Sequence, residues 1–355
     1  MKKTFCILGA MLLIVVLSAC SKDLLKAEDS QEKKSLIAKE KQEPEPVKEE
    51  DNAASIYPLT GKERSDKDVS RAIGIMVNNH KAARPQTGLS KADVVFEILA
   101  EGMITRFLAL FQSEQPEVVG PVRSAREYYF DLAERYQALY VYHGAAEQIN
   151  DMIRNRGIDH LNGSYYDNDG KLFKRASFRK APHNSYVQFP AIYKTASEKG
   201  FSIENNTKPL PFLSEQDVAD ISGDAAEHIQ IVYSSKPSLV VSYTYDKKKG
   251  VYHRSSDGQE TIEYETDKPI ELDNILIMET YHEVIDNAGR RKVDMDSGGN
   301  AYLLQKGKLQ QVQWASEDGL IVPVKDGKPI GLVPGKTWIN VVPSDPGIAK
   351  SVTFE

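Results

Sequence analysis

The chain has 355 residues, of which 41% are hydrophobic and 27% charged, with two cysteines and a formal net charge of -6. That acidity argues against nucleic acid as a partner, since nucleic-acid binders are usually basic. Two cysteines exclude a cysteine-type zinc centre and a disulfide framework.

The first twenty residues read as a leader. Lys2 and Lys3 precede an apolar run from Phe5 to Leu17 that is too short to span a bilayer comfortably. Leu17-Ser18-Ala19-Cys20 resembles a bacterial lipobox, so Cys20 is the expected lipidation site and the first residue of the mature chain. Its acyl chains would hold the protein on the outer face of the membrane through buried methylenes, about 0.8 kcal/mol each. Loss of the leader removes Lys2 and Lys3 and takes the formal charge to -8. With Cys6 lost and Cys20 lipidated, no intramolecular disulfide remains, which suits an oxidising exterior. The expected location is the extracytoplasmic face of the cell membrane, with contact to the membrane through the lipid anchor only.

Residues 21–51 carry seven lysines and ten acidic residues around Pro44 and Pro46. With so few apolar side chains this stretch cannot offset the entropy of folding, and it reads as a spacer. The expected organisation is a leader over 1–20, a charged spacer over 21–68, an N-terminal α/β domain over 69–210, a crossing segment over 211–235 and a C-terminal β-rich domain over 236–355. The fold class is mixed α/β or α+β: a mixed sheet in the N-terminal part, then mostly antiparallel strands.

Ala72 to Val77 predicts a buried strand that delivers Asn78, Asn79 and His80 at its end. Ala83-Arg84-Pro85-Gln86 follows as a rigid loop. Asp93 to Leu99 and Met103 to Gln112 predict two strands. A two-residue turn at Glu101-Gly102 would set Ala100 against Met103 and Glu97 against Arg106 as a cross-strand pair. The pair is either functional and partly buried or a solvated ion pair contributing at most about 1 kcal/mol. A register slip of one residue would separate the two charges.

Ser124 and Glu127 have capping-box spacing, predicting a helix from Ser124 to about Gln137 that buries Phe130, Leu132 and Ala133. Arg123 and Arg126 then flank its positive end, where an anion or a carboxylate such as Glu97 would offset them. Ala138 to Tyr142 is the next strand, and it ends in His143. A histidine there faces either a crevice beyond the sheet or the packed interior. Ala145 to Asn155 reads as a helix and 156–184 as a long ordered loop carrying Arg175, Arg179 and His183. A further helix is expected over Ser185 to Glu198.

The segments ARPQTGL, EGMITRFLALF, VGPVRSAR and APHNSY together resemble the YerB-like lipoprotein family of Gram-positive bacteria, which is defined by paired domains of unknown function. The resemblance covers nearly everything after Arg71. It implies an export signal, a polar spacer, an N-terminal α/β part and a β-rich C-terminal part, but no reaction. It also implies functional weight at Arg84, Glu97, Glu101, Arg106, Arg123, Arg126, His143 and Arg179.

Beyond residue 235, Val241–Tyr245, Gly250–Arg254, Gln259–Tyr264, Asn274–Val284, Ala301–Gln305, Leu309–Trp314 and Trp338–Val342 read as strands between turn signals. Trp314 and Trp338 read as packing residues. Gly331 to Thr337 lacks the Walker spacing, and no metal ligand set or cofactor motif stands out.

Three functions compete on this sequence. The first is recognition of an anionic cell-envelope component or an envelope protein by an arginine-rich cleft formed from Arg84, Arg106, Arg123, Ser124, Arg126, His143 and Arg179. The second is hydrolysis of an envelope glycan or peptidoglycan by Glu97 and Glu101, with His143 or His183 activating water. The third is a structural or assembly role with an internal salt-bridge network.

Overall fold

The computed structural model describes residues 56–64, 69–233 and 240–355. The expected leader, Cys20 and most of the expected spacer lie outside these residues. Within the stretch read as spacer, however, Ile56 to Arg64 is packed: Leu59 is fully buried, and the Leu210 amide donates to the Pro58 carbonyl. Among the described residues, no helix is long and apolar enough to cross a membrane.

The N-terminal part supplies β1 (Ile73–Asn78), β2 (Val94–Leu99), β3 (Thr105–Phe111) and β4 (Val118–Val119), then helix α1 (Glu127–Arg135). After these come β5 (Leu139–Tyr142), α2 (Glu147–Asn155), β6 (His160–Asn162), β7 (Phe173–Arg175), β8 (Ser185–Gln188) and α3 (Pro190–Glu198). It is a mixed sheet with helices: β3 runs antiparallel between β1 and β2, while β1, β5 and β6 are parallel. The C-terminal part is largely antiparallel β, as the sequence predicts.

Strands from both parts meet in one twelve-stranded sheet. Its seam is β2 beside Thr337–Pro343, a parallel pair that joins the N-terminal strands to Asn274–Thr280, Gly299–Gln305, Lys308–Glu317 and Leu320–Lys325. A second sheet of six strands contains His228–Val232, Val240–Asp246, Val251–Ser256 and Val352–Phe354. It packs with α3 on one face of the large sheet, through Val95, Phe107, Trp338, Ile231 and Tyr243. Helix α1 covers the other face, packing Tyr129, Phe130 and Leu132 against Phe96, Ile98 and Leu108. β1 and both strands of the seam are therefore buried on both sides, which accounts for the near-continuous apolar runs IGIMV, VVF and TWINVV. Trp314 and Trp338 are both core residues.

Several local expectations are corrected. The turn after β2 is one residue longer than the two-residue hairpin: Gly102 and Met103 both have positive φ, and the Ala100 amide bonds the Ile104 carbonyl. The register therefore pairs Glu97 with Phe107 and Ile98 with Arg106. Because side chains alternate along a strand, Glu97 points to the second sheet and Arg106 to α1. The expected Glu97–Arg106 pair does not exist.

Ser124 is not the helix cap. The segment before α1 is held extended by bonds from the Arg123 amide to the Met76 carbonyl and from the Ala125 amide to the Gly144 carbonyl. The helix starts two residues late, with Arg126 in place of Ser124 at the N-cap and no side-chain cap. The predicted helix at Ser185 is a strand, β8, followed by α3 at Pro190, where the ring suits a first helical turn. The loop over 156–184 contains two short strands, β6 and β7. Asn274–Val284 breaks at exposed Tyr281 into two strands, and Gln259–Tyr264 shortens to Gln259–Glu260.

Candidate functional site

The predicted site residues fall into two charge networks on opposite faces of the large sheet, with histidines along one end. Strands β1, β2 and β5 run in the same direction. Their C-terminal ends present Asn78 to His80, Glu101 and His143 near the start of β3, where Arg106 stands. This is the edge at which open α/β sheets commonly place their polar groups.

The first network is sealed. Glu97 is fully buried, and so is its partner Arg254 from Val251–Ser256. The guanidinium reaches both carboxylate oxygens, at 2.8 and 2.9 Å through Nη2, with Nε 3.2 Å from Oε2. Thr105 donates its hydroxyl to Oε1 at 2.8 Å and Trp338 its indole N–H to Oε2 at 2.9 Å. The Asn79 amide donates to Thr105 and to Glu97. Arg254 also lies over the Trp338 ring, 4.8 Å from its centroid, and donates to Thr261. Burial alone would pull the Arg254 pKa down, but the Glu97 charge and the neighbouring tyrosines outweigh it and the net direction is up. Glu97 therefore offers no free oxygen for acid–base work.

The second network gathers three arginines around one carboxylate. Arg106 donates to Glu101 Oε2 at 2.9 Å, and Arg126 Nε to Glu101 Oε1. Burial opposes ionisation of Glu101, but the Arg126 hydrogen bond and the two guanidinium charges overcome it and hold the pKa below the usual value. Arg123 stands beside them, and the acceptors of Arg106 and Arg126 do not extend to it. It is half-buried, and no acceptor within hydrogen-bond reach of its side chain occurs among the described residues. Burial lowers its pKa, and the charges of Arg106 and Arg126 lower it further, outweighing the opposing charge of Glu101. A guanidinium stays charged under such pressure. Ser124 contributes its backbone carbonyl, which accepts from Arg106 at 3.3 Å.

Two histidines border Arg123. His143, whose amide bonds the Arg123 carbonyl, contacts Ser185 Oγ through Nδ1 at 2.7 Å and Arg175 through Nε2 at 3.4 Å. Because Arg175 can only donate, Nδ1 carries the ring proton. Burial lowers the His143 pKa, with Arg175 and Arg123 adding to the shift. His183 accepts from the Asn78 amide at 2.8 Å and stacks on His80, with centroids 4.5 Å apart. Its pKa is also lowered, by burial first and then by His80, Arg123 and Arg179.

Arg84 and Arg179 do not join the Glu101 cluster. Arg84 pairs with Asp257 at 2.8 Å and lines a separate cavity of about 230 Å³ with Asn79, Gln86, Arg254 and Thr261. Arg179 is bound to the carbonyls of Ala82, Arg84 and Pro85. Among the described residues, no cluster of three or more His, Cys, Asp or Glu side chains could hold a metal ion.

Sequence reasoning missed Arg254. The signal was present in the alternation of Val251–Ser256, where Tyr252, Arg254 and Ser256 are the inward positions and Arg254 is the one charge among them.

Residues 59–202 match the family profile described as the N-terminal domain of a protein of unknown function, DUF3048, and residues 229–339 match its C-terminal domain. The chain belongs to the DUF3048 family. A DUF3048 relative, "Putative lipoprotein YerB" of Bacillus subtilis (strain 168), is 46% identical over 288 residues, covering 81% of this chain and 86% of the relative. The crystal structure of YerB protein from Bacillus subtilis matches with a TM-score of 0.77 at 43% identity, covering 84% of this chain and 99% of that one. The paired DUF3048 domains correspond to the mixed α/β part and the largely antiparallel part, and the seam β2 and Thr337–Pro343 draws one strand from each.

Proposed function

We propose that the chain is an extracytoplasmic lipoprotein, tethered through Cys20, that binds an anionic group of a cell-envelope component at Arg123. The observation that carries this reading is the charge imbalance beside β3. Arg106 and Arg126 share Glu101, while Arg123, half-buried next to them, has no hydrogen-bond acceptor among the described residues. A desolvated cation that shares one carboxylate's field with two other arginines and has no hydrogen-bonded counter-charge of its own is costly, and an incoming phosphate or carboxylate would relieve the repulsion among three guanidinium groups. Similarity to the relative named "Putative lipoprotein YerB" supports the tether.

The test is calorimetric titration of inorganic phosphate and of acetate into the full chain and into Arg123→Ala. Binding that weakens with added salt and vanishes in the variant supports the reading. Equal behaviour of the two proteins overturns it and favours the structural role, in which the arginines serve the fold alone. The tether is tested separately: Cys20→Ala should move the protein from the membrane fraction to the medium.

Hydrolysis by Glu97 and Glu101 is not proposed. Both Glu97 oxygens are engaged inside the core, and Glu101 is bound by two arginines.

A further inference from the structure

A pair of aromatic rings stands open to solvent on the Arg179 side of the histidines. Phe178, from the loop between β7 and β8, lies parallel to Tyr264, from the turn that follows the short strand Gln259–Glu260, with centroids 5.0 Å apart and planes 3° from parallel. Although the rings cover each other, Phe178 remains 56% exposed and Tyr264 40%. Among the other described residues most large aromatics are buried, so an open, ordered pair is a costly arrangement for a surface with nothing to bind.

Both rings are held in place from beneath. The Arg179 guanidinium sits 5.5 Å from the Phe178 centroid and 5.7 Å from that of Tyr264, while its Nη1 and Nη2 groups donate to three backbone carbonyls. Tyr264 follows Glu263, whose buried carboxylate accepts from the amides of Gly88 and Ser90 and from the Ser90 hydroxyl. The Tyr264 amide itself bonds the Gln86 carbonyl. Such a platform loses little freedom when a ligand stacks on it. It is joined to the cationic edge by contacts: Arg179 holds the carbonyls of Ala82, Arg84 and Pro85 just after His80, His80 stacks on His183, His183 accepts from Asn78, and two residues before Asn78 the Met76 carbonyl accepts from the Arg123 amide.

We infer that Phe178 and Tyr264 form a stacking subsite for a sugar ring, so that the ligand of Arg123 is an anion-bearing saccharide. The inference rests on the reading of Arg123 as an anion site. A pyranose presents a flat C–H face to an aromatic ring and keeps its hydroxyls for water and neighbouring polar groups, which matches an apolar platform beside guanidinium and imidazole. A purely apolar partner would leave those charges unmatched, and a bare anion would leave the rings unused.

The experiment titrates three probes into the full chain: inorganic phosphate, a phosphorylated hexose oligosaccharide, and the unphosphorylated parent oligosaccharide. Phe178→Ala and Tyr264→Ala should each weaken both oligosaccharides by about three- to tenfold and leave phosphate binding unchanged. Arg123→Ala should weaken phosphate and the phosphorylated oligosaccharide but not the parent. Oligosaccharide affinities that do not change in the two ring variants overturn the subsite, as does a parent and phosphorylated pair that fails to bind at all. In either case the phosphate arm still decides the Arg123 reading on its own.

Discussion

The carboxylate of Glu97 and the guanidinium of Arg254, 157 residues apart in the chain, meet at 2.8 Å with neither exposed to solvent. Glu97 comes from the large sheet and Arg254 from the second, so this one pair spans the interface between the two layers. Thr105 donates to one oxygen of the acid and Trp338 to the other, while the rings of Phe107 and Trp338 lie against the guanidinium. A charge pair this enclosed is weak evidence for net stability, because desolvation offsets most of the attraction. It does make the interface specific, since any sliding of one sheet over the other would strand two buried charges.

Removing one partner should therefore be far worse than removing both. Glu97→Ala is expected to cost about 3–5 kcal/mol of unfolding free energy, and Arg254→Ala a similar amount. The joint replacement Glu97→Leu with Arg254→Met should recover most of that loss. Denaturant unfolding of the three variants checks this. Additive losses would mean that the two side chains act independently.

Asp93 predicts a pH dependence of opposite sign to the common acidic case. Burial raises its pKa from 3.8 to about 6, against the bonds it accepts from the amides of Gln112 and Ser113 and from the Ser113 hydroxyl. Below the unfolded value both states hold the proton. Between that value and about 6 the unfolded chain releases it first, so stability contributed by this group is present in acid and lost as pH rises. The loss amounts to about 3 kcal/mol over the window. The stability difference between the unaltered protein and Asp93→Asn should change across pH 4–6 and be flat above it. A carboxyl resonance of Asp93 titrating at its ordinary value would refute this.

Much of this was legible in local pattern. The apolar runs of β1, β2 and β3 announced buried strands, and the apolar positions of α1 announced its packed face, Phe130, Leu132 and Ala133. Arginines near the start of α1 were also readable. What local pattern did not carry was register and distance along the chain. The left-handed pair Gly102 and Met103 adds one residue to a turn that the sequence alone presents as two, and this sends Glu97 and Arg106 to opposite faces. The seam between β2 and Thr337–Pro343 joins segments far apart in sequence, and nothing periodic marks it. The alternation of Val251–Ser256 marks Arg254 as an inward charge, but not that it meets Glu97, 157 residues away.

Arg123→Ala should leave the fold intact. The side chain has no acceptor to lose, and it stands beside two like charges that its removal would relieve. Unfolding free energy should change by less than about 0.5 kcal/mol or rise slightly, while Arg106→Ala, which strips a bonded partner from Glu101, lowers it by about 1–3 kcal/mol. A large loss of stability in Arg123→Ala would place that guanidinium in the structural network and not in a binding site.

Glu101→Gln separates the two readings most sharply, because they predict different signs. Glu101 is the shared counter-charge of Arg106 and Arg126, and its loss takes from the three guanidinium groups beside β3 the carboxylate that acts on all of them. If the cluster serves the fold alone, stability falls by about 1–3 kcal/mol and nothing else changes. If Arg123 receives an anion, the same variant should be less stable and yet bind phosphate about tenfold more tightly, since a competing negative charge has been removed. Bound phosphate would then restore part of the lost stability, raising the unfolding midpoint of the variant more than that of the unaltered protein. Paired unfolding curves with and without phosphate read both effects at once, and a midpoint that does not respond to phosphate in either protein would leave the cluster a purely internal one.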